Sequence, residues 1–67
     1  MHVTSSAIAD IAYDQATAAL YVTFVDGDRY RYAKVSAAVY RAFIDAESKG
    51  RFFASGIRDR YAYQRLD

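Results

Sequence analysis

A chain of 67 residues has room for one domain, spanning residues 1–67. It contains no cysteine and one histidine, His2, so it can form neither a disulfide nor a metal site of histidine and cysteine ligands. No apolar run approaches the ~18 residues of a membrane span and no signal-peptide pattern is visible, so we expect a cytoplasmic protein that does not enter membranes. The net charge of +1 divides into −4 over residues 1–28 and +5 over residues 29–67, which predicts one acidic and one basic patch unless salt bridges interleave them.

The first half of the chain predicts three β-strands. Residues 7–13 alternate between apolar and polar or small side chains, and residues 14–17 then have the composition of a turn. Residues 19–25 are rich in β-branched and aromatic residues, and residues 29–33 alternate again. Because the connections are short, we expect a three-stranded antiparallel meander.

The loop between the second and third predicted strands determines which side chains share a face. A two-residue loop at Asp26-Gly27 would place two arginines beside the apolar trio of the second strand. A three-residue loop, with Val25 first and Gly27 at positive φ, avoids this conflict and is our prediction. One face then carries Leu20, Val22, Phe24, Tyr30 and Tyr32, and the other carries Tyr21, Thr23, Arg29 and Arg31.

Two helices are predicted after the strands. Ser36 is a suitable N-cap for a helix from Ala37 to about Ser48, and Gly50 then has the position of a left-handed C-cap. The apolar arc of this helix has Val39, Ala42, Phe43 and Ala46 at its centre. Glu47 falls on the flank of that arc, where we expect a basic partner from the C-terminal segment. Residues 51–57 predict a short second helix, and residues 61–66 an extended tail, which completes an α+β fold.

The last third of the chain mixes aromatic and basic residues. Between Ser48 and Arg65 there are five cations, four aromatic residues and one carboxylate, Asp59. Aromatic rings stack on bases and guanidinium groups bind phosphates, so this composition favours a nucleic-acid-binding surface. The structural alternative is that these aromatic residues belong to the core and the charged residues form its solvated edge.

The candidate contacts form two sets. The main set, which we predict to bind nucleic acid, consists of Lys49, Arg51, Arg58, Arg60, Tyr63 and Arg65. Within it, Lys49 and Arg51 have a structural alternative, because cations at a helix C-terminus interact favourably with the dipole. The second candidate surface is Tyr21, Arg29 and Arg31 on the outer sheet face, similar in kind to aromatic-bearing sheets that bind single-stranded RNA. Tyr30 and Tyr32 are predicted to be core residues, and His2 a disordered terminus.

Three segments, taken in order, resemble the KTSC domain, a family named for its occurrence at the C-terminus of some lysyl-tRNA synthetases. They are the Tyr-x-Tyr at Tyr30 and Tyr32, the basic and aromatic stretch at residues 48–53, and the Ile-Arg and Tyr-x-Tyr-x-basic ending at residues 57–65. The likeness covers roughly residues 4–66. It implies a free-standing small bacterial protein, and the synthetase association implies an RNA-binding role.

The residue inventory does not favour catalysis. A serine nucleophile would need a base that His2 is not placed to supply, and there is neither a metal-ligand cluster nor a glycine-rich phosphate loop. We therefore expect a non-enzyme without cofactor or metal. The function we predict is a small accessory nucleic-acid-binding module, preferably for RNA. The alternative is a module that binds a protein partner or a second copy of itself through exposed Tyr and Arg side chains, because these are also frequent interface anchors.

Overall fold

The computed structural model describes residues 5–66, so His2 lies outside the described part of the chain. This part contains four strands and two helices, in the order β1 Ile8–Asp14, β2 Ala19–Phe24, β3 Arg29–Tyr32, α1 Ala37–Asp45, α2 Lys49–Gly56 and β4 Tyr63–Arg65. The strands form one antiparallel sheet in the order β1-β2-β3-β4. The fold is α+β, as the sequence predicts. Within residues 5–66, neither helix is long and apolar enough to cross a membrane.

The predicted extended tail is the fourth strand of the sheet, and this corrects the three-stranded meander. β4 pairs with β3, with Arg31 opposite Gln64 and Tyr32 opposite Tyr63. The pairing continues beyond the strand, where the Ala33 amide donates to the Ala62 carbonyl at 2.9 Å. An unpaired β3 would have left a row of exposed backbone donors and acceptors, which β4 satisfies.

The predicted hairpin is confirmed in both loop length and register. Val22 lies opposite Tyr30 and Leu20 lies opposite Tyr32. Gly27 has a φ of +100°, a backbone conformation that residues other than glycine rarely adopt. The pairing places the apolar side chains of β2 and the tyrosines of β3 on one face, as the parity argument requires.

The core lies between that inner face of the sheet and the helices. Phe43 of α1 and Phe53 of α2 are buried there, in one cluster with Leu20, Val22 and Tyr32. The β1–β2 register shifts between Ile8 and Asp10. This bulge allows Ile8 and Ile11, three residues apart, to be buried in the same core, which simple alternation would forbid.

The boundary between the helices differs from the prediction. α1 begins as predicted, with Val39 N donating to Ser36 Oγ, but it ends at Asp45 with Ala46 as C-cap. Ser48 is the N-cap of α2, because its hydroxyl accepts from the Arg51 amide at 3.2 Å. Gly50 is thus an internal residue of α2 and not a left-handed C-cap.

Two finer expectations for α1 are also wrong. Ala42 is exposed rather than at the centre of the buried arc, and Phe43 is the fully buried residue of the helix. Glu47 lies beyond the end of α1, where it is exposed and forms no ion pair with another residue of the described part of the chain. Since the helix ends two residues earlier, Glu47 is not on the flank of an apolar arc.

Candidate functional site

An open pocket of about 450 Å³ lies where the β2–β3 hairpin, the turn after α2 and β4 meet. We call it the aromatic pocket, because five rings line it: Phe24, Tyr30, Tyr32, Phe53 and Tyr63. Its remaining lining residues are charged, namely Asp26, Asp28, Arg58 and Asp59. The volume falls in the range of sites that hold small molecules or single side chains.

Several ring pairs of the aromatic pocket meet at steep angles. Tyr30 and Tyr63 are edge to face, with centroids 5.8 Å apart and planes at 69°, and Phe24 meets Phe53 at 5.2 Å and 78°. Tyr32 meets Phe53 similarly, at 5.5 Å and 79°. Such pairs hold rings in fixed orientations with faces turned in several directions. The pocket therefore has an aromatic wall with ring faces in several orientations.

Carboxylates outnumber cations among the residues that line this pocket. Asp28 accepts from an Arg65 guanidinium nitrogen at 2.8 Å, while Asp59 is 3.9 Å from Arg58 with both side chains largely exposed. The Asp26 carboxylate accepts from the Asp28 amide at 3.0 Å, which orders the hairpin loop. Exposed ion pairs contribute little to stability, so these charges are available to interact with a ligand.

The tyrosine hydroxyls add polar groups to the aromatic wall. Burial, with a smaller contribution from neighbouring Tyr30 and Tyr63, raises the pKa of Tyr32 from 10.0 to about 12. Its side chain is therefore a neutral phenol at physiological pH. Tyr30, Tyr32 and Tyr63 donate no hydroxyl hydrogen bond to another residue between 5 and 66, although each can donate one to a ligand.

The outer sheet face is a second, separate surface. The register places Ala12, Tyr21, Arg31 and Gln64 in one row across the four strands. Cross-strand neighbours of this kind have Cβ atoms about 4.5–5.5 Å apart, so these side chains extend from adjacent positions on the outer face. Arg31 and Gln64 also line a small open depression of about 180 Å³.

The six residues of the main candidate set are spread over several elements. Lys49 and Arg51 lie in the first turn of α2, whereas Arg58 and Arg60 lie beyond its end. An eight-residue helix separates the two pairs by about 12 Å along its axis. Lys49 Nζ donates to the carbonyl of Ala46, the C-cap of α1, at 2.6 Å. The helix-dipole interpretation thus fits Lys49 but not Arg51.

The C-terminal members of the set have individual environments. Arg60 Nε donates to the Ser55 carbonyl at 3.3 Å, and Arg65 binds Asp28 as described above. Tyr63 is 62% exposed, on the same side of the sheet as Tyr32. Only Arg58 and Tyr63 line the aromatic pocket. Sequence reasoning missed the three pocket carboxylates, which come together from the hairpin loop and the turn after α2. It also missed Gln64, which the β3–β4 pairing places beside Arg31.

Comparisons with known proteins agree with this architecture. The family model described as the KTSC domain matches residues 4–61. The chain belongs to the KTSC domain family. A crystal structure of a KTSC domain protein from Yersinia pestis superposes with a TM-score of 0.94, at 32% identity, over 100% of this chain and 94% of that one. An uncharacterized protein of Stutzerimonas stutzeri (strain A1501) is 36% identical over 64 residues, which are 94% of this chain and 90% of that protein.

Family membership confirms the resemblance carried by the tyrosine and basic motifs, and the function has to be argued from the surfaces of this KTSC domain. Residues 5–66 contain no group of three or more His, Cys, Asp or Glu side chains placed to hold a metal ion. The aromatic pocket and the outer sheet face lie on opposite faces of β3.

Proposed function

We propose that this KTSC domain binds single-stranded nucleic acid, preferably RNA, on its outer sheet face. The observation that carries the proposal is the row of Tyr21, Arg31 and Gln64 across β2, β3 and β4. An aromatic ring stacks on a base, a guanidinium binds a phosphate, and an amide donates and accepts hydrogen bonds at a base edge. These are the three kinds of contact that a sheet platform for a single strand needs.

The charge distribution on this face favours one path for the strand. Arg31 lies on β3, while Asp14 lies on β1. Phosphates would be repelled from β1 and attracted to β3, so the backbone would follow the β3–β4 side with a base over Tyr21. The aromatic pocket suits phosphate less, because three of its four charged lining residues are carboxylates.

Salt dependence is the first test. If Arg29 and Arg31 each bind one phosphate of a single strand, the slope of log affinity against log salt is about −1.4, from ~0.7 per contact. Affinity for labelled oligo(U) should then fall about sevenfold between about 50 and 200 mM salt. Fluorescence anisotropy with an oligonucleotide of about ten nucleotides, within the usual site size of a small domain, measures this. No binding even at the lower salt concentration would refute the proposal.

Charge-matched variants locate the surface. Arg31→Ala should reduce the slope to about −0.7, since one phosphate contact is lost. Arg41→Ala removes the same charge from an exposed position on α1 and should leave the slope unchanged. If Arg58→Ala or Arg60→Ala has the effect expected of Arg31→Ala, nucleic acid lies on the turn after α2 and not on the outer sheet face.

A stacking variant tests the role of the ring. Tyr21→Thr, which keeps a residue suited to a strand, should cost about 1–3 kcal/mol of affinity and leave the salt slope unchanged. Tyr21→Phe keeps the aromatic face and should bind like the wild type. Thermal melting of each variant separates a loss of contact from a loss of folding.

One observation favours the alternative, a protein-interaction or homodimerisation role. β4 is an edge strand of the sheet, and it bears the exposed Tyr63, with Leu66 38% exposed next to it. Edge strands pair readily with a second chain, and exposed aromatic residues anchor interfaces. Analytical ultracentrifugation over a concentration series measures self-association. A dimer that Tyr63→Ser dissociates, together with an absence of RNA binding, would favour this alternative.

A further inference from the structure

We propose that the aromatic pocket binds the guanidinium or ammonium group of an organic cation. The pocket lies on the opposite side of the sheet from the row that we assign to nucleic acid, so this inference stands independently of the proposed function. It rests on three properties of the pocket: its rings, its carboxylates and its existing contact with a guanidinium.

The rings provide the first argument. Aromatic faces carry negative quadrupole charge, and a cation within about 6 Å of a ring centroid is attracted to the face. Tyr30, Tyr63 and Tyr32 are mutual neighbours with centroid separations between 5.7 and 6.4 Å, and their planes differ by 35° to 69°. One small cation can therefore contact more than one of these rings at the same time. Clustered aromatic rings are also what aromatic cages use to bind ammonium groups.

The carboxylates provide the second argument. Asp26, Asp28 and Asp59 line the pocket with Arg58 as the single cation among the lining residues, and with Arg65 paired to Asp28 at the rim the group has a net charge of −1. An anion would be repelled from such a site, and a neutral ligand would leave this charge uncompensated. A guanidinium or ammonium ion is attracted by these charges and can donate charge-assisted hydrogen bonds to the carboxylates.

The Asp28–Arg65 pair provides the third argument. A guanidinium of the chain itself already reaches the pocket rim, where Arg65 Nη2 is 2.8 Å from Asp28 Oδ1. The pair is partly exposed, with 55% of the Arg65 side chain and 35% of the Asp28 side chain accessible. A carboxylate has two oxygens and accepts several hydrogen bonds, so an incoming cation can share Asp28 without displacing Arg65.

The test uses a cation and its neutral isostere. Ethylguanidinium should produce saturable shifts in the NMR resonances of residues around the aromatic pocket, while N-ethylurea, which has the same shape without the charge, should not. If both compounds shift these resonances with similar affinity, the pocket recognises shape and not charge, and the proposal is wrong. It is equally wrong if neither compound binds.

Variants assign the contributions of ring and charge. Tyr63→Leu keeps an apolar side chain but removes the ring, and it should weaken ethylguanidinium binding about two- to fivefold. Asp59→Asn should weaken it about threefold, as expected for one unit charge about 6 Å away in water. Asp45→Asn, an exposed position at the end of α1, makes the same charge change and should have no effect. Equal affinities in all four proteins would place the cation elsewhere.

A second experiment distinguishes the two sources of such a cation, a side chain of a basic peptide and a free small molecule. A short peptide with one central arginine should bind more tightly than ethylguanidinium, and should also shift the β4 amides, if the natural ligand is a basic chain beside the edge strand. Equal affinities for the two probes would show that the pocket recognises a free small cation. Either result supports the cation pocket, whereas binding of neither probe refutes it.

Discussion

Replacement of Phe43 by alanine tests the assignment of the core. Phe43 is fully buried, its ring stacks on Phe52 at 5.6 Å and 16°, and it contacts Phe53 at 6.4 Å. A buried Phe→Ala change typically costs about 3–5 kcal/mol, because the free energy of burying the ring is lost and a cavity remains in the core. At ~0.05–0.15 kcal/mol per residue, the whole domain has a free energy of unfolding of about 3–10 kcal/mol. Phe43→Ala should therefore leave the protein marginally folded or unfolded at room temperature.

Urea denaturation followed by circular dichroism measures this effect, with the transition midpoint as the readout. Arg41→Ala, an exposed change two residues earlier in the same helix, should alter the free energy of unfolding by less than about 0.5 kcal/mol. A cooperative transition for Phe43→Ala with the wild-type midpoint would show that α1 buries a different face. The arrangement of helices over the inner face of the sheet would then be wrong.

Two further predictions concern the backbone and the pH dependence of stability. Ala18 has a φ of +56°, so Ala18→Gly should raise the free energy of unfolding by about 0.5–1 kcal/mol. The control Ala42→Gly, at an exposed position of α1, should lower it by a similar amount. Chemical denaturation measures both changes, and a loss of stability in both variants would refute the strain at Ala18. Because the folded-state pKa of Tyr32 is raised to about 12, the unfolded state releases this proton first, and stability should fall as pH rises from about 10 to about 12. Tyr32→Phe should lack this part of the fall in stability, which denaturation curves at several alkaline pH values measure. An identical pH dependence of stability in the two proteins would contradict the prediction.

The hairpin could be predicted because its determinants are local. Gly27 permits the positive φ that the three-residue loop requires, and the parity of that loop places Tyr30 and Tyr32 on the same face as Leu20 and Val22. Both determinants lie within about a dozen residues of sequence. Local turn chemistry and side-chain parity therefore fix this part of the fold.

The junction of the helices could not be predicted because two local preferences compete there. Gly50 is suited to end a helix, while Ser48 is suited to begin one, and the sequence alone does not rank them. In the structure Ser48 caps α2 and Lys49 reaches back to the Ala46 carbonyl, so both helix ends are satisfied within four residues. The consequence for the site is direct, because Lys49 and Arg51 then lie at the end of α2 remote from Arg58 and Arg60.

The composition of the aromatic pocket depends on long-range pairing and was not predictable from local pattern. Asp28 and Arg65 are 37 residues apart in sequence, and their contact exists because β4 pairs with β3. The C-terminal segment on its own is basic and aromatic, which favours nucleic acid. Folding adds the acidic residues of the hairpin loop to its inner side, which changes the charge of that surface.

β3 connects the two proposed sites and explains how one small domain can carry both. Its side chains alternate, so Tyr30 and Tyr32 contribute to the aromatic pocket while Arg31 contributes to the outer row. β4 extends the division, with Tyr63 on the pocket side and Gln64 beside Arg31. The two surfaces differ in their charged residues, because carboxylates predominate around the pocket and arginines lie on the outer side of β3. A phosphate backbone on one face and a cationic group on the other therefore need not compete, because β3 separates the two proposed sites.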